Sequence, residues 1–242
     1  MQRVFLIGTK GGTGTSSVTA NLARCLADAA EPTLVVELNA QNQLARHFAI
    51  PWLAKTGWQN ANDLHTLQNC FYQTQSGIQV LPYGKSNQSK VLTAKEVVDG
   101  LNQFELTPNT WVLFDITSTD FSTLSLNSTD IVLEVANCDA INHSLLYQKF
   151  TVDKFECSAQ YYVLVNKFNS HSDVESDIFT LWQHQLTHLS PVFIHADEAI
   201  KVAVTHANQA VALYPANSCR ADFERLCGWL SSLQTQMNKS EG

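Results

Sequence analysis

Residues 4–17 read Val4-Phe5-Leu6-Ile7-Gly8-Thr9-Lys10-Gly11-Gly12-Thr13-Gly14-Thr15-Ser16-Ser17. A four-residue apolar run ends at a glycine, and beyond Gly14 apolar residues recur at helical spacing: Val18, Leu22, Cys25 and Leu26. The unit is a strand, a glycine-rich loop and the start of a helix. In that arrangement backbone amides and the positive end of the helix dipole converge on one point, where a phosphate group is held. Gly11, Gly12 and Gly14 allow positive φ and let the backbone approach an anion closely. Ser16, in the first helical turn, stands where a hydroxyl ligates Mg2+.

Outward from this unit, short apolar runs recur at 33–36, 78–81, 111–114, 131–135, 161–165 and 192–194. Each is rich in Val, Ile, Leu or aromatic residues, as strands covered on both faces are. Between them lie helical stripes: Val97, Val98, Leu101 and Phe104; Ile178, Leu181, Trp182 and Leu186. Alternating strands and helices predict an α/β fold, a mostly parallel sheet of about seven strands with helices on both faces. Residues 51–77, 84–92 and 116–129, where Asn, Gln, Ser, Thr and Gly cluster, are expected to be irregular. Leu226, Trp229, Leu230, Leu233 and Met237 predict a closing core helix. No linker interrupts the pattern, so we expect one domain over 1–236 and a flexible tail at 237–242.

The chain has 242 residues, with 15 Lys plus Arg against 22 Asp plus Glu, a net charge of −7. That balance gives no general attraction to nucleic-acid backbones or anionic membranes. No apolar run approaches the roughly 18–20 residues of a membrane span, and the opening residues lead directly into a strand, so a cytoplasmic protein is expected. Cys25, Cys70, Cys138, Cys157, Cys219 and Cys227 match no zinc or disulfide spacing and read as buried thiols. Trp111, Trp182 and Trp229 are expected in or near the core, whereas Trp52 and Trp58, in an irregular segment, are candidates to face a partner.

The run Lys10-Gly11-Gly12-Thr13-Gly14-Thr15-Ser16 resembles the deviant phosphate-binding loop of the MinD/ParA family of P-loop ATPases. The resemblance implies ATP and Mg2+ as ligands, with Lys10 through Ser17 contacting phosphate and Lys10 reaching across a homodimer to the partner's nucleotide. Thr15, however, stands where the general P-loop lysine belongs. The loop keeps the between-subunit cation and lacks the within-subunit one, which implies that a triphosphate is held best by a dimer. Glu37-Leu38-Asn39 resembles the family's acidic pair, with Glu37 beside Mg2+ and Asn39 in place of the water-activating acid. An amide holds a water but does not take its proton. Asp115, closing the run at 111–114, resembles the acid that holds Mg2+ through water. Asn166 resembles the residue that reads the adenine edge. His195-Ala196-Asp197-Glu198 reads by itself as a loop entering a helix, with Asp197 as cap; the resemblance places His195 and Asp197 beside the adenine.

Beyond Arg225 the only cation is Lys239, so the last helix lacks the basic face of the membrane-binding branch. The chain also carries no Lys/Arg cluster of the DNA-binding branch. Thr15, Leu81-Pro82-Tyr83-Gly84, the stretch from Asp177 to Trp182 and that from Ile194 to Ala199 resemble the BcsQ/YhjQ branch of bacterial cellulose operons, out to about Leu230. In that branch Lys10 is often Arg. The resemblance implies an ATP-bound dimeric scaffold of the cellulose synthase secretion machinery with slow or absent hydrolysis. Its partners would be a small BcsR-like operon protein and other cytoplasmic or inner-membrane components. No nucleic acid and no direct membrane insertion are expected, and partners would recruit it to the inner membrane or cell pole. The alternative is a cycling ATPase that positions cargo.

Overall fold

The computed structural model describes residues 1–51, 56–85 and 92–240, with side chains through 237. Seven strands form one sheet: β1 (Gln2–Gly8), β2 (Thr33–Glu37), β3 (Tyr72–Gln73), β4 (Gln79–Leu81), β5 (Trp111–Asp115), β6 (Ile131–Ala136) and β7 (Gln160–Val165). Their order is β3-β4-β2-β5-β1-β6-β7. All neighbouring pairs are parallel except β3 with β4. Alternate side chains of β1 enter opposite layers, as the pleat requires. Val4 and Leu6 join a core with Leu22, Leu26, Phe223, Leu226 and Leu230. Phe5 and Ile7 join another with Val97, Val98 and Leu101, and the Phe5 and Phe114 rings stack at 4.6 Å. Burial on both faces explains why these strands read as continuous apolar runs.

The α-helices are α1 (Thr15–Asp28), α2 (Leu64–Leu67), α3 (Ala94–Leu101), α4 (Ser118–Phe121), α5 (Ala140–Tyr147), α6 (Asp173–Gln185), α7 (Glu198–Thr205), α8 (Ala210–Leu213) and α9 (Ser218–Ser240). α1 and α9 cover one face and α3 the other. Starts are capped as their sequences dictate: Thr93 Oγ1 accepts from the Glu96 amide at 3.2 Å, and Glu96 Oε2 accepts from the Thr93 amide at 2.8 Å. The register sets Glu37 opposite Asp115, so acids meet at the carboxyl ends of the strands, where ligands of open α/β sheets bind.

The fold class is as expected, with local corrections. Residues 192–194 form no ladder strand. They run beside β7 through isolated bonds, including Ile194 N to Val165 O at 2.9 Å and Phe168 N to Ile194 O at 3.0 Å, because Pro191 and the bonding of Ser190 break a continuous ladder. The seventh strand is instead β3, inside the stretch expected to be irregular, and that stretch also holds α2, capped by Asp63. α4 lies within 116–129, capped by Thr117. In the α6 stripe Trp182 is buried and Leu181 is exposed. α9 continues to Ser240, past the expected boundary at 236, with Met237 packed on the core; 241–242 lie outside the described residues. Five of the six cysteines are buried and Cys157 is half-buried. Trp58 does not face outward: it is buried, and its indole donates to the Glu37 carbonyl at 2.7 Å. Trp52 lies outside the described residues. Among the described residues no helix is long and apolar enough to cross a membrane.

At the opposite end of the sheet Arg3 and Asp130 form an ion pair, 4% and 2% exposed. Arg3 Nε donates to Asp130 Oδ1 at 2.7 Å, and Nη2 bonds Oδ2, which also accepts from the Asn127 amide at 2.7 Å. Removing one partner strands a buried charge. Asp130→Ala should therefore lower stability by about 3–5 kcal/mol in urea unfolding, while Arg3→Met with Asp130→Leu recovers most of the loss. A loss below about 1 kcal/mol for the single variant would class the pair with solvated surface pairs.

Candidate functional site

The glycine loop owes its shape to two left-handed residues and a clamp. Gly12 has φ +83 and Gly14, which begins α1, has φ +98. A Cβ on Gly14 would lie 2.6 Å from Asn166 Nδ2 and 3.3 Å from Lys167 Cε, so only glycine admits the side chains that β7 delivers. Asn166 Nδ2 donates to the Thr13 carbonyl at 2.7 Å, and Lys167 Nζ to the Gly12 carbonyl at 2.7 Å. Thr13 Oγ1 lies 3.3 Å from Thr15 Oγ1 inside the loop. Asn166 Oδ1 is buried and has no partner.

Ser16 Oγ donates to Asp115 Oδ2 at 2.5 Å. Burial pushes the Asp115 carboxyl up to about 6, against the lowering effect of the Ser16 hydroxyl. Burial pushes Glu37 up to about 8; the Leu44 amide opposes this and the Asp115 charge adds to it. Glu37 Oε1 accepts from the Leu44 amide at 2.6 Å and Oε2 from the Ala45 amide at 3.3 Å. Its carboxylate therefore caps the 3-10 turn Leu44–Phe48 and does not line the cleft, contrary to its expected place beside Mg2+.

A cleft of about 410 Å³ opens over the loop, lined by Lys10, Thr15, Ser16, Asn39, His47 and Asp115. Asn39 Oδ1 accepts from the Gln41 amide at 3.0 Å. A second pocket of about 300 Å³ lies behind the loop, lined by Asn166, Lys167, Asp197, Ile200, Lys201 and Phe223; Ser17 borders both. A hollow of about 450 Å³ at the other end of the sheet, beside Pro32, Phe71, Phe104 and Thr110, has Glu105 as its one charged lining residue.

Of the other expected residues, Asp197 sits as expected and His195 does not. Lys10 Nζ lies 3.5 Å from Asp139 Oδ2 within the same chain; Asp139 also caps α5 through the Asn142 amide at 2.8 Å. His195 does not line the pocket. Its amide and Nδ1 each bond Asp222 Oδ2 at 2.9 Å, and its ring packs on Phe193. Asp197 Oδ1 accepts from the Ala199 amide at 2.8 Å and from Asn217 Nδ2 at 3.3 Å, so it caps α7 while bordering the pocket.

Two site residues escaped the sequence reading, Lys167 and His47. Lys167 could have been flagged only as the neighbour of Asn166, and His47 carries no motif. His47 is 4% exposed, with Nδ1 buried and unpartnered. Burial depresses the imidazole to about 4 from 6.5, against a backbone hydrogen bond at Asn208. Folding thus favours neutral His47. Its contribution is complete above pH 6.5 and is lost as pH falls from 6.5 toward 4, to a total of about 3 kcal/mol. Glu37 has the opposite sign, losing its contribution as pH rises from 4.5 through 8. The difference in urea stability between wild type and His47→Gln should therefore shrink as pH falls from 7 to 5. A constant difference would show that His47 does not titrate on unfolding.

The family model described as "Cellulose biosynthesis protein BcsQ" matches residues 1–229. The cellulose biosynthesis protein BcsQ of Escherichia coli K12 is 29% identical over 229 residues, covering 90% of this chain and 88% of that protein. BcsQ of Salmonella typhimurium LT2 is 25% identical over 228 residues, covering 90% and 88%. Among solved structures, the cell division ATPase MinD of Pyrococcus furiosus superposes with a TM-score of 0.67 at 20% identity, covering 96% and 100% of the two chains. A putative plasmid partition protein of Borrelia burgdorferi, bound to AMPPNP, gives 0.69 at 12% identity, covering 98% and 99%. The fold is that of the MinD/ParA P-loop ATPases, and the chain belongs to the BcsQ family of cellulose biosynthesis proteins.

Proposed function

We propose that this chain is an ATP-binding dimeric scaffold of the bacterial cellulose synthase machinery, with Mg·ATP held between two protomers and hydrolysed slowly or not at all. The observation that carries the reading is the Ser16–Asp115 hydrogen bond of 2.5 Å at the mouth of the glycine loop, with Thr15 and Asn39 lining the same cleft. The first pair retains a Mg2+ site; the other two residues lack the charges that bind and hydrolyse a triphosphate quickly. Proteins sharing this fold have been solved with Mg-ADP, as in MinD of Pyrococcus horikoshii (TM-score 0.62, 17% identity). The family's name supports a place in cellulose synthesis.

The residues fit these ligands. Positive φ at Gly12 and Gly14 leaves loop amides to phosphate oxygens. The unpartnered Asn166 Oδ1 suits the amino group of adenine, and Asp197 borders the pocket on that side. Ser16 and Asp115 would hold Mg2+, which when bound neutralises phosphate charge. Glu37 is left out of that set because its oxygens serve the Leu44 and Ala45 amides, and His195 is left out of the base pocket because Asp222 holds it. Asn39 orients a water without accepting its proton. Lys10 is tied to Asp139 by a pair whose side chains are 31% and 40% exposed; such a pair contributes about 0–1 kcal/mol, so Lys10 leaves it readily for a partner's nucleotide. ATP then acts mainly by stabilising the assembly. The assembled dimer joins a small BcsR-like operon protein and other cellulose synthase components, which recruit it to the inner membrane.

Mass-resolved light scattering with Mg·ATP, Mg·ADP or neither, with released phosphate assayed in the same tubes, tests this. The expected result is a dimer that forms with Mg·ATP and keeps it intact for hours. Dimers that dissolve as phosphate appears would replace the scaffold with a cycling ATPase; absence of any nucleotide effect would reject nucleotide binding. Lys10→Ala should abolish Mg·ATP-linked dimerisation without changing the melting temperature. Asn39→Asp should raise phosphate release about tenfold or more by restoring a proton acceptor.

A further inference from the structure

Thr15 leaves the glycine loop without a cation at that position, yet an ammonium lies against the loop from another direction. Lys167 follows Asn166 at the end of β7 with φ +57, a left-handed conformation uncommon for a residue with a side chain. This turn lays the side chain across the loop, where Nζ donates to the Gly12 carbonyl at 2.7 Å. The two nearby lysines have acids: Asp139 at 3.5 Å for Lys10 and Glu198 at 2.7 Å for Lys201. Lys167 is held by a neutral carbonyl. Partial desolvation, then the charges of Lys10 and Lys201, lower the basicity of this otherwise exposed side chain. Among the described residues Lys167 is thus the one of these three lysines without an ion pair, and an anionic ligand would supply the missing partner. The position suits one. Lys167 borders the pocket behind the loop, and Ser17 borders both that pocket and the cleft. A nucleotide with its base behind the loop and its terminal phosphate in the cleft must run past Ser17, beside Lys167.

We infer that Lys167 is the within-chain cation for the phosphates of a nucleoside triphosphate, approaching from the β7 side in place of the side chain that Thr15 lacks. The inference rests on the nucleotide reading above. Without ligand the Gly12 carbonyl holds the ammonium beside its place of action. Exchanging that neutral carbonyl for an anionic phosphate oxygen turns a bond with one ionised partner into one with two and adds the attraction of opposite charges.

Lys167→Gln removes the charge and keeps a hydrogen-bond donor on a slightly shorter side chain; Lys167→Arg keeps the charge. Binding of Mg·ATP and of adenosine is measured by calorimetry, with the melting temperature of each ligand-free variant. The expected result is Mg·ATP affinity reduced about tenfold or more in Lys167→Gln, nearly retained in Lys167→Arg, and largely restored when Thr15→Lys is added to Lys167→Gln. Adenosine affinity and melting temperature should stay as in wild type. Unchanged Mg·ATP affinity in Lys167→Gln overturns the assignment. So does equal weakening of Mg·ATP and adenosine, which would make Lys167 a support of loop shape alone. A wild-type chain that binds no Mg·ATP overturns the nucleotide reading itself, and this assignment with it.

Discussion

The hydrogen bond from Asn166 Nδ2 to the Thr13 carbonyl, 2.7 Å long and bridging 153 positions of sequence, ties the two halves of the site together. A loop bearing three glycines has high conformational entropy when free. Fastened at Thr13 and Gly12 by the end of β7, it is ordered before any ligand arrives. Gly14 is the geometric condition for this, since any side chain there would collide with Asn166. The residue that shapes the loop and the residues that close it thus come from distant parts of the sequence, on strands separated only by β6. The parallel order β1-β6-β7 brings them together.

The turn after β2 has been put to a structural use. In an ATPase the acids here work on magnesium and water. Glu37 instead closes the Leu44–Phe48 turn from beneath, its carbonyl holds the Trp58 indole, and Asn39 closes a local turn of its own. His47, on the same turn, is held through its carbonyl by Gln209 Nε2, and Asn21 Oδ1 of α1 accepts from the Val211 amide at 3.1 Å. Cleft, turn and the segment around α8 are one packed unit.

The fold was legible because burial leaves a mark on composition: strands covered on both faces carry runs of apolar residues, and β1, β2, β5, β6 and β7 each contain one. β3 was not legible, because two residues paired at an edge need no apolar run. Residues 192–194 misled for the converse reason: they are apolar and extended, but their bonds to β7 are interrupted. The glycines, Ser16, Asp115 and Asn166 do meet around the loop, because each stands at the carboxyl end of a strand or at the helix start beside it, positions that sequence marks. Glu37 and His195 lie away from the pockets expected for them because sequence shows an acid or an imidazole but not which way it turns. Glu37 turns to two amides and His195 to Asp222. Lys167 and His47 were missed because their roles come from contacts made across the fold.

The irregular course of residues 188–196 along β7 has a consequence for how copies of this chain can meet. An open strand edge is a template on which another chain can extend the sheet. Here the β7 edge is already engaged: Ser190 N bonds Val163 O at 2.9 Å, and Val163 N bonds His188 O at 2.8 Å. The far edge ends in β3, only two residues long, and short edges are one of the ways proteins blunt such templates. With both margins of the sheet disarmed, lateral growth into fibres is disfavoured, and any contact between copies is left to the faces and loop surfaces.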